Sequence, residues 1–249
     1  MSVEDVVTCA LARTVRPDDV IGVGLGTPTA LCAALVAQRT HAAGATVLVG
    51  GAVSPRATLA ECLHHETDGR TPGFVPHLDT MDMAERQAMT LQFLRPAQVG
   101  PDGSANTSRV RAGERLVRFP GGLALGDVVN LMPRIVLYHT AHEPRALPDK
   151  VGFRTAAGGG VERGGYRAEG ATTLVTDRAV IGLGPDGARL VSVHPGETVE
   201  SVVGATGFAL ATEDAFETPP PSADELGALE SVDPDRHRDR EFKRRRANA

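Results

Sequence analysis

Apolar residues recur along the first part of the chain with two different periods. From Ser2 to about Arg16, the residues Val3, Val6, Val7, Ala10 and Leu11 fall on one side of a 3.6-residue repeat, and Ser2 precedes Asp5 in a capping-box arrangement. This pattern predicts a helix. Asp19–Gly26 then reads as a short strand ending in the spaced glycines Gly22, Gly24 and Gly26. Thr27 as N-cap and Pro28 at the first helical position open a second helix running to about His41. It is apolar nearly all round, which predicts burial. Thr46–Val49 is a β-branched apolar run, the next strand, and it leads straight into Gly50 and Gly51. Strand, helix and strand in this order predict a parallel pair with a right-handed crossover.

Further along, Met81, Ala84, Ala88 and Leu91 stand at helical spacing, so Asp79–Leu94 reads as a helix stopped by Pro96. Its methionines read as packing. Pro101–Ser108 is turn chemistry. Phe119–Asp127 is a second Gly-rich loop, leading into a short helix. Arg134–His139 is a buried-type strand, closed by the charged run from His142 to Arg145. Thr172–Gly182 and Arg189–Val193 read as strands joined through a turn at Pro185, Asp186 and Gly187. A helix from His194 to near Gly204 and a last strand over Gly207–Ala211 follow. The prolines 219–221 form a linker to a short helix from Ser222 to about Glu230, where Ser222 and Glu225 make a second capping box. The expected architecture is an α/β fold: an open, mostly parallel sheet flanked by helices, with Gly-rich loops at strand ends. It occupies residues 1–218, and residues 219–249 add a linker, a short helix and a charged tail packing on the domain or on a partner.

Composition narrows this picture. Among 249 residues, 41% are hydrophobic but only 4% aromatic, with no Trp, 28 Gly and 17 Pro, so the core is aliphatic and the turns are many. The formal charge of −5 provides no global basic field to recruit nucleic acid or an anionic membrane. No apolar run approaches the roughly 18 residues of a membrane span. Cys9, Cys32 and Cys62, odd in number and without framework spacing, suit a reducing cytoplasm, and the acidic start Met-Ser-Val-Glu-Asp lacks the base of a signal peptide. In the tail, Arg236, Arg238, Arg240 and Lys243–Arg246 interleave with acids, which reads as a solvated or subunit-docking segment rather than a nucleic-acid arm.

Local motifs exclude more than they assign. Gly22-Val-Gly-Leu-Gly-Thr departs from the dinucleotide fingerprint, which needs glycine where Thr27 stands and an acid where Gly50 ends the next strand. The strand–Gly–helix junction remains a place for a phosphate or carboxylate at a helix N-terminus. Cys62, His64, His65, Glu66, His77 and Asp79 collect metal-ligand chemistry, but at no established spacing, and the expectation is no metal. A Gly-x-Ser-x-Gly elbow and a Walker loop are both absent. Arg56 and Arg70 are candidate partners for a distal substrate carboxylate or, equally, solvated side chains.

The order of the segments is more specific than any one of them. The Gly-rich strand end Gly22–Gly26, Met81-Asp-Met with Gln98–Ser108, the loop Pro120–Asp127, His142–Arg145 with Lys150–Thr155, Thr176-Asp-Arg-Ala-Val and Val191–Thr198 together resemble the β-type subunit of the class I CoA-transferase family, in its glutaconate CoA-transferase-like branch. The likeness covers nearly the whole chain. Pro221–Arg240 also looks like the end of the steroid-ring-opening hydrolases of that branch. Leu123 and Ala124 stand where family glycines would cluster.

The resemblance implies a site shared with an α-type subunit and an acyl-CoA thioester as substrate, with no permanently bound cofactor. In the family's transferases a β-subunit glutamate at the end of the second strand attacks the thioester, giving an anhydride and then a glutamyl-CoA thioester. Here that position is Gly50; Glu61 and Glu66 are too far along to replace it. Other relatives decarboxylate a glutaconyl-type thioester with cysteine there, or open a steroid-derived ring with groups from the α-type subunit. Three readings follow. One is a subunit acting on an acyl-CoA by decarboxylation, hydration or C–C hydrolysis. The second is a genuine CoA-transferase. The third is a non-catalytic structural subunit. On the first, Gly50, Gly51, Ser54, Gly121, Gly122 and Asp127 line the substrate pocket, and the glycines let backbone N–H groups approach the thioester oxygen.

Overall fold

The computed structural model describes residues 1–24, 26–49, 51–52, 57–63, 73–122, 125–158, 171–184 and 186–242. Its helices are α1 (Val3–Ala12), α2 (Pro28–Arg39), α3 (Leu59–Leu63), α4 (His77–Glu85), α5 (Leu125–Leu131), α6 (Val199–Ala205) and α7 (Ala223–Val232), with a 3-10 turn over His237–Glu241. The strands are β1 (Val20–Val23), β2 (Thr46–Leu48), β3 (Gly51–Ala52), β4 (Gly73–Phe74), β5 (Leu91–Leu94), β6 (Gln98–Val99), β7 (Ala105–Asn106), β8 (Arg109–Ala112), β9 (Arg115–Arg118), β10 (Arg134–His139), β11 (Ala171–Thr176), β12 (Ala179–Gly184), β13 (Gly187–Val193), β14 (Leu210–Ala211) and β15 (Phe216–Glu217).

The main sheet runs β14-β13-β12-β11-β10-β5-β1-β2-β3-β4, with β15 also on β13. Its centre, from β11 to β2, is parallel throughout; β11-β12-β13 and β2-β3-β4 are antiparallel, and β14 and β15 join β13 in parallel. This is the mostly parallel α/β sheet that the strand–helix–strand pattern predicts. Side chains alternate between two cores. Val136 and Tyr138 of β10 face the layer of α1, α2 and α7, with Ile21, Phe93, Leu35 and Leu229. Ile135 and Leu137 face the other, with Met89, Val129, Met132 and Ile181. A strand buried on both faces shows an unbroken apolar run instead of an alternation, which is why Arg134–His139 is legible as a strand.

Two capping boxes form as the sequence predicts. Ser2 Oγ accepts from Asp5 N while Ser2 N donates to Asp5 Oδ2, and Ser222 and Glu225 do the same at α7. Several elements differ from expectation. Asp79–Leu94 is not one helix: α4 ends at Glu85, Gln87 takes a positive φ of 58°, and Leu91–Leu94 is the central strand β5. Strands β11 and β12 are two strands, separated by a tight turn at Asp177 and Arg178 where one long strand is expected. The helix expected from His194 starts only at Val199, capped by Thr198. The described part of the tail, to Phe242, is not wholly solvated either, although Arg236 and Arg240 are exposed. Arg238 is buried between Asp5 and Asp233, both at 2.8 Å, so the last described residues belong to the fold of this chain.

At the opposite end of the sheet from its carboxyl-terminal edge, Arg134 Nη1 and Nη2 both donate to Asp19, which also accepts from Thr90 Oγ1 at 2.7 Å and Arg16 N at 2.7 Å. This knot joins β1, β5 and β10. Among the described residues no helix is long and apolar enough to cross a membrane.

Candidate active site

Parallel strands bring their carboxyl ends to one edge, and in open α/β sheets ligands bind outside that edge. Here β1 ends at Val23, β5 at Leu94 with Arg95 next, β10 at His139 and β2 at Leu48, two residues before Gly50. Beside this edge lies a cleft of about 820 Å³. One wall is the hairpin β8–β9 with Phe119, Pro120 and Gly121; the other carries Arg95, Gln98, His139, Glu143 and Arg145.

The Gln98–Ser108 segment builds the first rim. Asn106 is fully buried; its Oδ1 accepts from Ser108 N and Arg109 N, and its Nδ2 donates to Gln98 Oε1 and Arg109 O. Gln98 Oε1 also accepts from Gly152 N, and its Nε2 donates to Arg145 O. These amides hold loops and do not reach for a ligand. Thr155 then staples the second Gly-rich loop: its hydroxyl accepts from Thr107 N and shares a 2.8 Å hydrogen bond with Ser108 Oγ. A Cβ on Gly122 would stand 2.5 Å from Thr155 Cγ2, so only glycine lets the loop pack so close. Gly121, at φ +103° and bonded through its N–H to Thr107 O, lines the cleft.

The predicted pocket residues are thus divided. Gly121 lies on the cleft and Gly122 against its rim. Asp127 is exposed on the first turn of α5 and is not among the cleft-lining residues. Gly51 sits in β3, paired with Phe74. Gly50 and Ser54, like Arg56, His64, His65, Glu66, Arg70, Leu123 and Ala124, lie outside the described residues. Among the described residues no group of three His, Cys, Asp or Glu could hold a metal ion.

Sequence reasoning missed the charged groups of this edge. The place for an anion at the N-terminus of α2 is filled from within: Thr29 N donates to Glu241 Oε2 at 2.8 Å. Thr27 does not cap the helix; its hydroxyl donates back to Gly24 O at 2.6 Å. Tyr138 OH also donates to Glu241, at 3.1 and 3.2 Å, and Arg95 Nε pairs with it at 2.8 Å. Burial, then the Glu241 charge, pushes the Tyr138 phenol well above its ordinary range, so it stays a donor. His139 Nδ1 accepts from Ala141 N at 3.1 Å, which places the neutral ring's proton on Nε2. Burial is the main cause of a lowered His139 pKa, and the Arg95 charge adds to it. The cleft therefore offers a permanent cation at Arg95 and a neutral imidazole N–H.

The other segments that carry the resemblance lie behind this edge. His142 bridges Thr176 Oγ1 and Thr206 Oγ1, both at 2.8 Å, and His194 bridges Thr218 Oγ1 and the Thr176 carbonyl, both at 2.9 Å. All three cysteines are buried, and burial pushes the Cys9 thiol up to about 12 and the Cys62 thiol to about 11, so none is a nucleophile at neutral pH.

No protein-family model matches the chain. It is 30% identical over 152 residues to the B-type subunit of 3-oxoadipate CoA-transferase from Pseudomonas knackmussii, a match that takes in 57% of this chain and 57% of that protein. The decarboxylase AibA/AibB shares its fold with a TM-score of 0.82 and 26% identity, over 97% of this chain and 98% of the matched one. Glutaconate coenzyme A-transferase from Acidaminococcus fermentans, 20% identical, superposes with a TM-score of 0.80 over 93% and 94% of the two chains, a likeness of fold. The sheet, the Gly-rich loops at its carboxyl edge and these likenesses agree: the chain is a class I CoA-transferase-like β-type subunit.

Proposed function

We propose that this subunit acts with an α-type partner on an acyl-CoA thioester by a non-transfer reaction, namely decarboxylation, hydration or C–C hydrolysis. The observation that carries this is Gly50. It follows β2 in the chain, where the resemblance expects a nucleophilic glutamate, and glycine has no side chain to attack with. The described cleft-lining residues offer no replacement: Glu143 is tied to Arg145 at 2.6 Å, and Arg95 and His139 are donors. What remains suits binding and polarising a carbonyl rather than forming an acyl-enzyme. Gly50, Gly51, Ser54, Gly121 and Gly122 are the residues of this chain we assign to the substrate pocket, with coenzyme A entering only as part of the substrate. The acid–base groups then come mainly from the partner.

Transfer chemistry is the second reading, favoured by the likeness to the Pseudomonas CoA-transferase. The two separate cleanly by trapping. The co-expressed complex is incubated with an acyl-CoA, treated with borohydride, and this chain is digested and weighed by mass spectrometry. We expect no reduced glutamyl residue. A glutamate reduced to the alcohol in this chain would sink the non-transfer reading and establish transfer.

A further inference from the structure

Glu241 comes from a stretch that the sequence marks only as charged tail, yet its side chain is 4% exposed. Two elements donate to it, the first turn of α2 through Thr29 N and β10 through Tyr138 OH, and Arg95, just past the end of β5, forms an ion pair with it. Its own carbonyl accepts from Thr140 Oγ1 at 2.7 Å, which pins the backbone as well. A carboxylate saturated in this way is a poor nucleophile. Its effect falls on Arg95. Arg95 Nε sits 2.8 Å from Glu241 Oε1 in an ion pair, and among the described residues Nη1 and Nη2 make no hydrogen bond to the protein. The side chain is 37% exposed and lines the cleft beside His139.

A guanidinium held by an ion pair, with Nη1 and Nη2 not bonded to the protein, matches a pair of anionic oxygens. We propose that Arg95 is the anion-binding residue of the cleft and that Glu241 is its positioning residue, presenting Nη1 and Nη2 to a carboxylate or phosphate of the bound thioester. The inference rests on reading the cleft as the acyl-CoA site. The geometry gives each residue a separate duty. Arg95 touches the ligand; Glu241 only holds Arg95, at the place where the helix N-terminus and the phenol hold Glu241. An acyl carboxylate and the phosphates of coenzyme A share this chemistry, so the probes must tell them apart.

The test is calorimetric titration of the co-expressed complex with free CoA, acetyl-CoA and succinyl-CoA. The variants are Arg95→Met, Arg95→Lys and Glu241→Gln. If the anion is the acyl carboxylate, Arg95→Met weakens succinyl-CoA about tenfold or more and leaves acetyl-CoA and CoA within about twofold. If it is a CoA phosphate, all three probes weaken about equally and the loss shrinks at high salt. Glu241→Gln reproduces the same probe pattern at smaller amplitude, and Arg95→Lys does not rescue, because an ammonium lacks the fork. Glu241→Gln with Arg95→Met loses no more than Arg95→Met alone. Unchanged affinity for every probe in Arg95→Met overturns the proposal. A wild-type complex that binds none of the three overturns the acyl-CoA reading itself, and the proposal with it. A loss in Glu241→Gln without the Arg95→Met pattern, after matched thermal melts, assigns Glu241 a purely structural role and overturns its part.

Discussion

At the scale of single residues, the side chains that carry the family likeness mostly support the site from behind. His142 shows this best. It is buried, with both ring nitrogens bonded to threonine hydroxyls, and burial, helped by the Arg178 charge, depresses its pKa to about 4 from the ordinary 6.5. The sign follows from proton counts. Between pH 6.5 and about 4 the unfolded chain binds a proton that the folded chain refuses, so stability rises with pH across that window. The contribution is whole above pH 6.5 and is lost as the pH falls toward 4. It is worth on the order of 3 kcal/mol. His139 and His194 are shifted in the same direction by burial and add to the slope. Urea unfolding at pH 7, 5.5 and 4.5 should show this fall, and His142→Gln should flatten it. An unchanged slope in His142→Gln would show that the depression lies elsewhere. Arg238 makes the matching case for charge. Replacing it with Met leaves Asp233 buried without its cation and Asp5 with only the longer Arg236 contact at 3.4 Å, and we expect a loss of about 3–5 kcal/mol by denaturant titration.

At the scale of elements, the sheet was legible where apolar runs met capping and turn residues. It was hidden where they met a second period. The capping boxes at Ser2 and Ser222, the Pro28 start of α2 and the run Ile135–Tyr138 each have one local cause, and each element formed where that cause stands. Strand β5 has two causes in conflict. Leu91 continues the helical spacing of Met81, Ala84 and Ala88, and no Gly or Pro separates them. The break is made instead by Gln87 in the left-handed region, which sequence rules reserve for Gly and Asn. Losing β5 to a helix hid the site as well, because Arg95 is informative only as the residue at the end of a central strand. Glu241 was hidden for another reason: its partners lie 212 and 103 positions away at Thr29 and Tyr138, and no local pattern reports such a contact. The strand assignment has its own test. Phe93 is fully buried on β5 between β1 and β10, and Phe93→Ala should cost about 3–5 kcal/mol with cooperative unfolding retained.

At the scale of the whole molecule, the proposed function makes the arrangement half of a site. One sheet edge supplies a cleft with glycine at its rim, a clamped cation and a neutral imidazole, and among the described residues it supplies no free carboxylate or thiolate. A reaction at a thioester needs a proton donor or acceptor in register with the substrate, and on the proposed function the α-type partner brings it. The hairpin β8–β9 stands away from both cores, and its Leu116 and Val117 are 42% and 38% exposed. Isolated apolar side chains on a surface mean little, but here Val117 lines the cleft. We therefore expect activity to depend on assembly. Expressed alone, the chain should be inactive on every acyl-CoA tried; co-expressed with the α-type subunit, it should co-purify in fixed ratio and turn over substrate. Light scattering coupled to size-exclusion chromatography gives the stoichiometry, and mixing separately purified subunits gives the dependence. Full turnover by this chain alone, running at its own 26.1 kDa mass, would mean that the missing acid–base group lies within it. The search would then pass to residues 53–56 and 64–72, which follow Gly50 in the chain and hold its remaining Ser, His and Glu candidates.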